Sequence, residues 1–282
     1  MKSYFKYIIF FMSTLQILSC IKENFNNCPN WGKYKVSFYD SSNIKCNSIN
    51  YMILLYNGID STPAPILNSY FVLPDSFSIN SPNILKLFPG EYNFCALLSS
   101  QELFLTDKIK LQNGLKYFYA NRESKIRKSP LNRVGLFFNL ANSMIIVKCT
   151  VDSVLDNCKI SKIEISPPQE KDALLNIATG KCSYEQCTTL FFENALYNQK
   201  ETEWVYYCNP TIAGTDLTFK ITLSNSIDPI DKTLFIKVFL EKGLEQGMVN
   251  RFYLNVTPHN IEYISSTIID WTDYAHYQDI VL

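Results

Sequence analysis

The sequence predicts an all-β protein built from two tandem antiparallel β-sandwich domains, and three observations carry that expectation. Short runs rich in β-branched and aromatic residues recur between turn residues, as in sandwich folds. Several of those runs alternate apolar with polar residues, the period-two mark of a strand with one buried face. Helical periodicity is nearly absent; Lys171 to Ala178 and Leu190 to Tyr197 carry the only weak signals. With 282 residues, 47% of them hydrophobic and 18% charged, the chain can fill its cores without obligatory disulfides.

The elements follow in order. Residues 1–19 read as a signal peptide: Lys2 and Lys6 precede an apolar stretch from Tyr7 to Leu18. That stretch is too short to span a bilayer, which takes roughly 20 apolar residues. Its end, Ile17-Leu18-Ser19-Cys20, has the form of a bacterial lipobox. Cleavage would then leave Cys20 first in the mature chain, carrying a diacylglyceryl group. Several acyl chains on one residue anchor durably where a single chain binds marginally. Residues 20–33 are Asn-rich with Pro29 and Gly32, and suit a solvated tether.

The first domain is expected over residues 34–120. Tyr34 to Phe38 alternates, Tyr51 to Tyr56 is a continuous apolar run ending at Asn57-Gly58, and Tyr92, Phe94, Ala96 and Leu98 alternate after Pro89-Gly90. Residues 121–133 hold Arg122, Lys125, Arg127, Lys128 and Arg133 against Glu123, plus Pro130, and read as a solvated linker.

The second domain is expected over residues 134–282, where the alternation is cleaner. Ile145, Val147, Cys149 and Val151 share one face, as do Leu217, Phe219, Ile221 and Leu223. Leu234, Ile236, Val238 and Leu240 form another such set, but Phe235 and Phe239 lie opposite, which predicts burial on both sides. Phe252, Leu254 and Val256 follow, and a last strand spans Ile261 to Ile269 before Asp270-Trp271.

Composition narrows the chemistry. The 26 basic residues balance 26 acidic ones, so there is no excess of positive charge for nucleic acid. Loss of Lys2 and Lys6 takes the basic count from 26 to 24, a mature balance of −2. Both histidines, His259 and His276, fall in a turn and in the tail, and no nucleophile elbow, phosphate loop or zinc-protease motif occurs. No catalytic site, cofactor or metal is therefore expected. Of the nine cysteines, acylation of Cys20 leaves an even eight at 28, 46, 95, 149, 158, 182, 187 and 208. An even set permits disulfides, and buried free thiols are equally compatible.

Three stretches carry a family resemblance. The mature start runs from Cys20-Ile21-Lys22-Glu23-Asn24 through Cys28-Pro29 into Val36-Ser37-Phe38-Tyr39-Asp40. Next come Leu54-Leu55-Tyr56-Asn57-Gly58-Ile59-Asp60 and Pro89-Gly90-Glu91-Tyr92. The third is Val249 to Val256 followed by Ile269-Asp270-Trp271. Together they resemble the fimbrillin-associated anchor lipoproteins of the type V pili of Gram-negative anaerobes. Residues 155–215 carry no part of the likeness.

The resemblance implies two transthyretin-like sandwiches tethered by lipid to the outer membrane at the base of a pilus. Such a subunit attaches the pilus and limits or terminates its assembly, and its partner is a fimbrial stalk subunit, reached by strand addition. Stalk subunits lose an N-terminal strand to an Arg/Lys-specific protease; an anchor keeps its own, and here the first arginine is Arg122. The partner-contacting segment would be Ile261 to Leu282, with Ile261, Ile264, Ile268, Trp271, Tyr274 and Tyr277 as candidate contacts. The alternatives are a tip or accessory subunit, and a surface lipoprotein that binds glycans on aromatic platforms.

Overall fold

The computed structural model describes residues 34–40, 51–58, 67–72, 85–99, 108–155, 157–167, 172–177, 179–183, 191–200, 202–225 and 231–274. Cys20 and Tyr277 lie outside them. The described residues form strands β1 (Tyr34–Asp40), β2 (Tyr51–Gly58), β3 (Leu67–Val72), β4 (Leu85–Leu87), β5 (Gly90–Ser99), β6 (Lys108–Gln112), β7 (Tyr117–Ile126), β8 (Leu131–Leu136), β9 (Asn139–Leu140) and β10 (Ser143–Val151). They continue with β11 (Cys158–Ser166), β12 (Asp172–Asn176), β13 (Cys182–Ser183), β14 (Glu193–Asn194), β15 (Leu196–Asn198), β16 (Glu203–Cys208), β17 (Thr215–Asn225), β18 (Lys232–Leu240), β19 (Met248–Val256) and β20 (Ile261–Asp270). The fold is all-β, as expected.

The first half is layered around a central sheet, β3-β2-β5-β7-β9 (sheet B). One face of that sheet, with Phe94, Ala96, Leu98, Phe118 and Ala120, packs on Val36, Leu87, Val134 and Leu136 of the β4-β1-β8 sheet (sheet A). The opposite face, with Cys95, Leu97 and Tyr117, packs on Ile109, Leu111 and Leu175 of the β13-β12-β6 sheet (sheet C). Buried on both faces, β5 reads Phe-Cys-Ala-Leu-Leu with no polar alternation, the pattern of a doubly covered strand.

Sheet C is assembled from both halves. Its β6 belongs to the first half, while β12 and β13 come from the second and pair antiparallel along Asp172–Asn176 and Leu174–Leu175. The Tyr119 hydroxyl donates to the Ile177 carbonyl at 2.7 Å, and Gln246 Nε2 donates to the Gly180 carbonyl at 2.7 Å. Gly180 has φ +68°, and a Cβ there would collide with the Tyr119 ring.

The second half is a sandwich of sheet D, β15-β16-β10-β19-β20, and sheet E, β14-β11-β17-β18. Ile145, Val147, Phe252 and Leu254 of sheet D meet Ile163, Ile165, Phe219 and Ile221 of sheet E. The other face of sheet D contributes Met144, Ile146 and Val249 to the first-half core, so the halves share apolar packing. Polar contacts reinforce that junction: Gly114 N donates to Tyr207 O at 2.7 Å, and Asn209 N to Asn113 Oδ1 at 2.7 Å.

Three expectations require correction. The basic stretch 121–133 is not a solvated linker but strand, turn and strand, passing from one sheet to the next. Residues 121–126 extend β7 against β5, and residues 131–133 open β8. Asn132 closes the turn, accepting Arg127 N at 2.9 Å and donating to Arg127 O at 3.1 Å. Arg122, Lys125 and Arg133 sit on exposed strand positions and Arg127 and Lys128 in the exposed turn, while Ile126 is buried, so a charge run here marks a solvated face.

The two weak helix signals are strands. Ala173, Leu175 and Ile177 are buried with Leu174 exposed between, a period of two that the Leu-Leu pair conceals. The second stretch holds β14 and β15. Within the expected antiparallel sheets, β1–β8 and β10–β19 are parallel.

Candidate partner-binding edge

Among the described residues β20 ends sheet D, hydrogen-bonded to β19 alone. Its sequence, Ile-Glu-Tyr-Ile-Ser-Ser-Thr-Ile-Ile-Asp, is β-branched at five of ten positions, which favours the extended chain. From Glu262 to Ile268 every residue is exposed, so neither face of the strand is covered. A strand edge offers unpaired N–H and C=O groups to any incoming chain, and proteins commonly blunt such edges with bulges. Here one bulge falls where the register shifts from Tyr253↔Ser265 to Leu254↔Tyr263, leaving Ile264 without a direct partner. Tyr263 hydroxyl donates to Ser266 Oγ at 2.7 Å, bracing the strand at that point.

The structure divides the six sequence-predicted contact residues. Ile264 and Ile268 are 61% and 51% exposed and project from β20. Ile261 is buried in the core between sheets D and E. Trp271 and Tyr274 are core residues too, because the chain turns inward after the edge strand. Asp270 Oδ1 accepts Thr272 N at 2.8 Å, capping a short helical turn over residues 271–274. The Trp271 N–H donates to Gly247 O at 2.9 Å. Its ring lies 5.5 Å from Phe118 and 5.8 Å from Tyr274, with Lys116 Nζ 5.3 Å from its centroid. Trp271 therefore ties the end of β20 to the first half, and Tyr277 falls outside the described residues.

Beneath the edge, sheet D carries a charged row. Glu203 on β16 is fully buried, with Lys148 Nζ at 3.6 Å and Arg251 Nη2 at 3.8 Å. Arg251 also lies 5.9 Å from the centre of the Tyr274 ring. On sheet E, Glu164 accepts from Lys220 at 2.8 Å and Lys162 at 3.0 Å. The Lys220 hydrogen bond, followed by that from Lys162, holds the Glu164 carboxyl below its usual range.

The sequence reading missed β18 as a surface. Phe235 and Phe239, expected to be buried on both sides, are 58% and 62% exposed on the outer face of sheet E. The inward set Leu234, Val238 and Leu240, with Ile236 half-buried beside them, is what β18 gives to the core. Two aromatics four apart beside a charged residue, Lys237, were the available signal.

The described cysteines, Cys95, Cys149, Cys158, Cys182 and Cys208, are free thiols. Burial pushes Cys149 and Cys182 up to about 12, and Cys208 further, so these three are protonated at neutral pH. Among the described residues no group of three or more His, Cys, Asp or Glu gathers in metal-binding geometry, and no helix is long and apolar enough to cross a membrane.

Neither a family model nor a curated protein matches the chain. Solved structures do, and they share its all-β, multi-sheet fold. A candidate cell adhesion protein of Bacteroides uniformis superposes with TM-score 0.64 at 13% identity, covering 85% of this chain and 98% of that one. One from Bacteroides ovatus gives 0.57 at 12%, over 85% and 96%. The tip fimbrial protein Mfa3 of Porphyromonas gingivalis, in a C-terminally truncated form, gives 0.50 at 10%, over 85% and 100%. At these identities the shared property is the fold.

Proposed function

We propose that this chain is a lipid-anchored fimbrial subunit at the cell surface. In this reading Cys20 holds it in the outer membrane, and β20 receives a stalk subunit, attaching the pilus and limiting its assembly. The observation that carries the reading is β20: ten residues long, paired on one side, exposed on both faces. Such an edge takes a partner strand by β-augmentation, with backbone hydrogen bonds for affinity and side chains for register.

β1 supports the anchor role over a stalk role. It pairs with both β4 and β8, and its Val36 is fully buried in the first-half core. A chain that retains β1 stays covalently continuous with its lipid. The neighbours described as cell adhesion candidates and as a fimbrial tip protein fit the same surface setting.

The test of the anchor is Cys20→Ala. Radiolabelled palmitate should leave the variant unlabelled and the precursor uncleaved; normal processing and labelling would end the assignment. A tip role would be favoured if assembled pili carried this chain without lipid. Glycan capture has one observation behind it, the Tyr197–Trp204 ring pair at 4.9 Å on the β15–β16 edge. Those rings are tilted by 44°, which gives no flat platform, and a glycan array would decide the point.

A further inference from the structure

The outer face of sheet A gathers positive charge. In β1 Val36 and Phe38 turn toward the core, so Lys35 and Ser37 turn outward. Lys35 pairs antiparallel with Lys86 of β4 on one side and parallel with Leu131 of β8 on the other, and Ser37 pairs with Arg133. Lys35, Lys86, Leu131 and Arg133 are all exposed. The two lysines stand side by side on one face, their Cβ atoms about 5 Å apart, where like charges oppose the pairing of the strands.

The turn from β7 into β8 adds Arg127 and Lys128, both exposed. Asn132 fixes that turn beside β1, donating from Nδ2 to Arg127 O at 3.1 Å and to Lys35 O at 3.5 Å. Among the described residues no Asp or Glu occupies an outward position of β1, β4 or β8. On the adjoining sheet B, Glu91 is held by Lys125 at 3.4 Å. None of Lys35, Lys86, Arg127, Lys128 and Arg133 has an ion-pair partner among the described residues. Leu131, and Phe88 two residues beyond Lys86, add exposed apolar surface.

We propose that the outer face of sheet A rests on the anionic, phosphate-bearing surface of the membrane that holds this chain, as a contact additional to the acyl chains. The proposal rests on the reading of Cys20 as the lipid anchor and adds what the folded body does at the membrane. Two features favour a lipid surface over other anions. In that reading only residues 20–33 separate the acylated cysteine from β1, and fully extended they reach about 50 Å at most. Sheet A is thereby kept near the headgroups. Cations bordered by exposed apolar side chains also match a membrane interface, where basic groups meet phosphates and apolar ones enter the acyl boundary.

The test uses the acylated protein purified from its own membranes. It is reconstituted into vesicles of phosphatidylcholine alone, or of phosphatidylcholine mixed with phosphatidylglycerol. Amine acetylation is then read lysine by lysine by mass spectrometry. In the anionic vesicles, labelling of Lys35, Lys86 and Lys128 should slow by about fivefold or more. High salt should restore it, and Lys159, Lys237 and Lys242 of the second half should label equally in both vesicles. In a variant carrying Lys35→Gln, Lys86→Gln and Arg133→Gln, Lys128 should label at the neutral-vesicle rate. A control carrying Lys159→Gln, Lys237→Gln and Lys242→Gln should keep Lys128 protected. All six substituted positions are exposed, and unchanged thermal unfolding checks the fold of each variant.

Equal labelling of Lys35, Lys86 and Lys128 in the two compositions would overturn the contact and leave the acyl anchor standing. A purified chain without acyl groups would overturn the anchor and the contact together. Slowing by soluble heparin but not by anionic vesicles would assign the face to an acidic polysaccharide. Slowing in neutral vesicles that is lost on dilution would assign it to a second copy of the chain. Either result overturns the proposal.

Discussion

Two strands of ten residues, β5 and β20, show how position in the fold decides what a strand does. Both are rich in residues that favour extended chain, and both lie in five-stranded sheets. β5 has β2 and β7 on its two edges and a layer over each face, so its second half is entirely buried. Among the described residues β20 has one hydrogen-bonded neighbour and no layer over either face through most of its length. The same residue types that hold the first half together in β5 are held out to solvent in β20. Substitutions in β5 should therefore cost stability, and substitutions in β20 should cost contacts.

The largest expected effect is at Phe94→Ala, which removes a fully buried ring from β5. It should lower unfolding free energy by about 3–5 kcal/mol in urea titration. A loss under about 1 kcal/mol would break the contrast between the strands.

Next is Leu175→Ala on β12, a second-half residue in a first-half core. It should cost about 2–4 kcal/mol. Unfolding should remain a single transition in both variants, because the halves share packing; two separated transitions would contradict that.

A smaller effect comes from the paired Glu164. Its carboxyl titrates below the ordinary value of 4.5, so the pair stabilises the fold above that value. The contribution disappears as pH falls through the folded-state value. The melting-temperature gap between wild type and Glu164→Gln should therefore shrink as the buffer is taken from roughly pH 6 to pH 3. A constant gap would show that the lysines do not set the titration.

The smallest effect on stability belongs to Ile264→Thr with Ile268→Asp, within about 0.5 kcal/mol per residue by the same titration. Thiol chemistry adds an independent check on burial. At pH 8, roughly half a unit below an ordinary thiol, iodoacetamide should leave Cys149, Cys182 and Cys208 unmodified until urea is added.

Much of the second half was legible in sequence because its strands have one buried face. In β17, Leu217, Phe219, Ile221 and Leu223 are buried and Asp216, Lys220 and Thr222 face outward or are half-covered, as alternation requires. The first half was less legible because its central sheet is covered twice. Beside the Phe94, Ala96, Leu98 set, Cys95 and Leu97 fill a second core that only β12 of the other half completes. No local pattern records a layer supplied from residues 172–183.

The last strand falls where its sequence places it, but which of its residues are buried was not legible there. Trp271 and Tyr274 resemble exposed anchors in sequence and are seams of the core, because the turn capped by Asp270 redirects the chain. A deletion from Asp273 onward would remove Tyr274 and damage that core. Phe235 and Phe239 were misjudged in the opposite sense, since an apolar residue on an outer sheet face is compatible with a buried layer or with an open one.

The central claim is that β20 is where the pilus subunit joins this chain. Hydrogen exchange of the full-length protein, with and without the purified stalk subunit, tests it most directly. The account predicts slowed exchange across Ile261 to Asp270 on complex formation. A stable complex that leaves those amides unprotected and slows exchange elsewhere would contradict it.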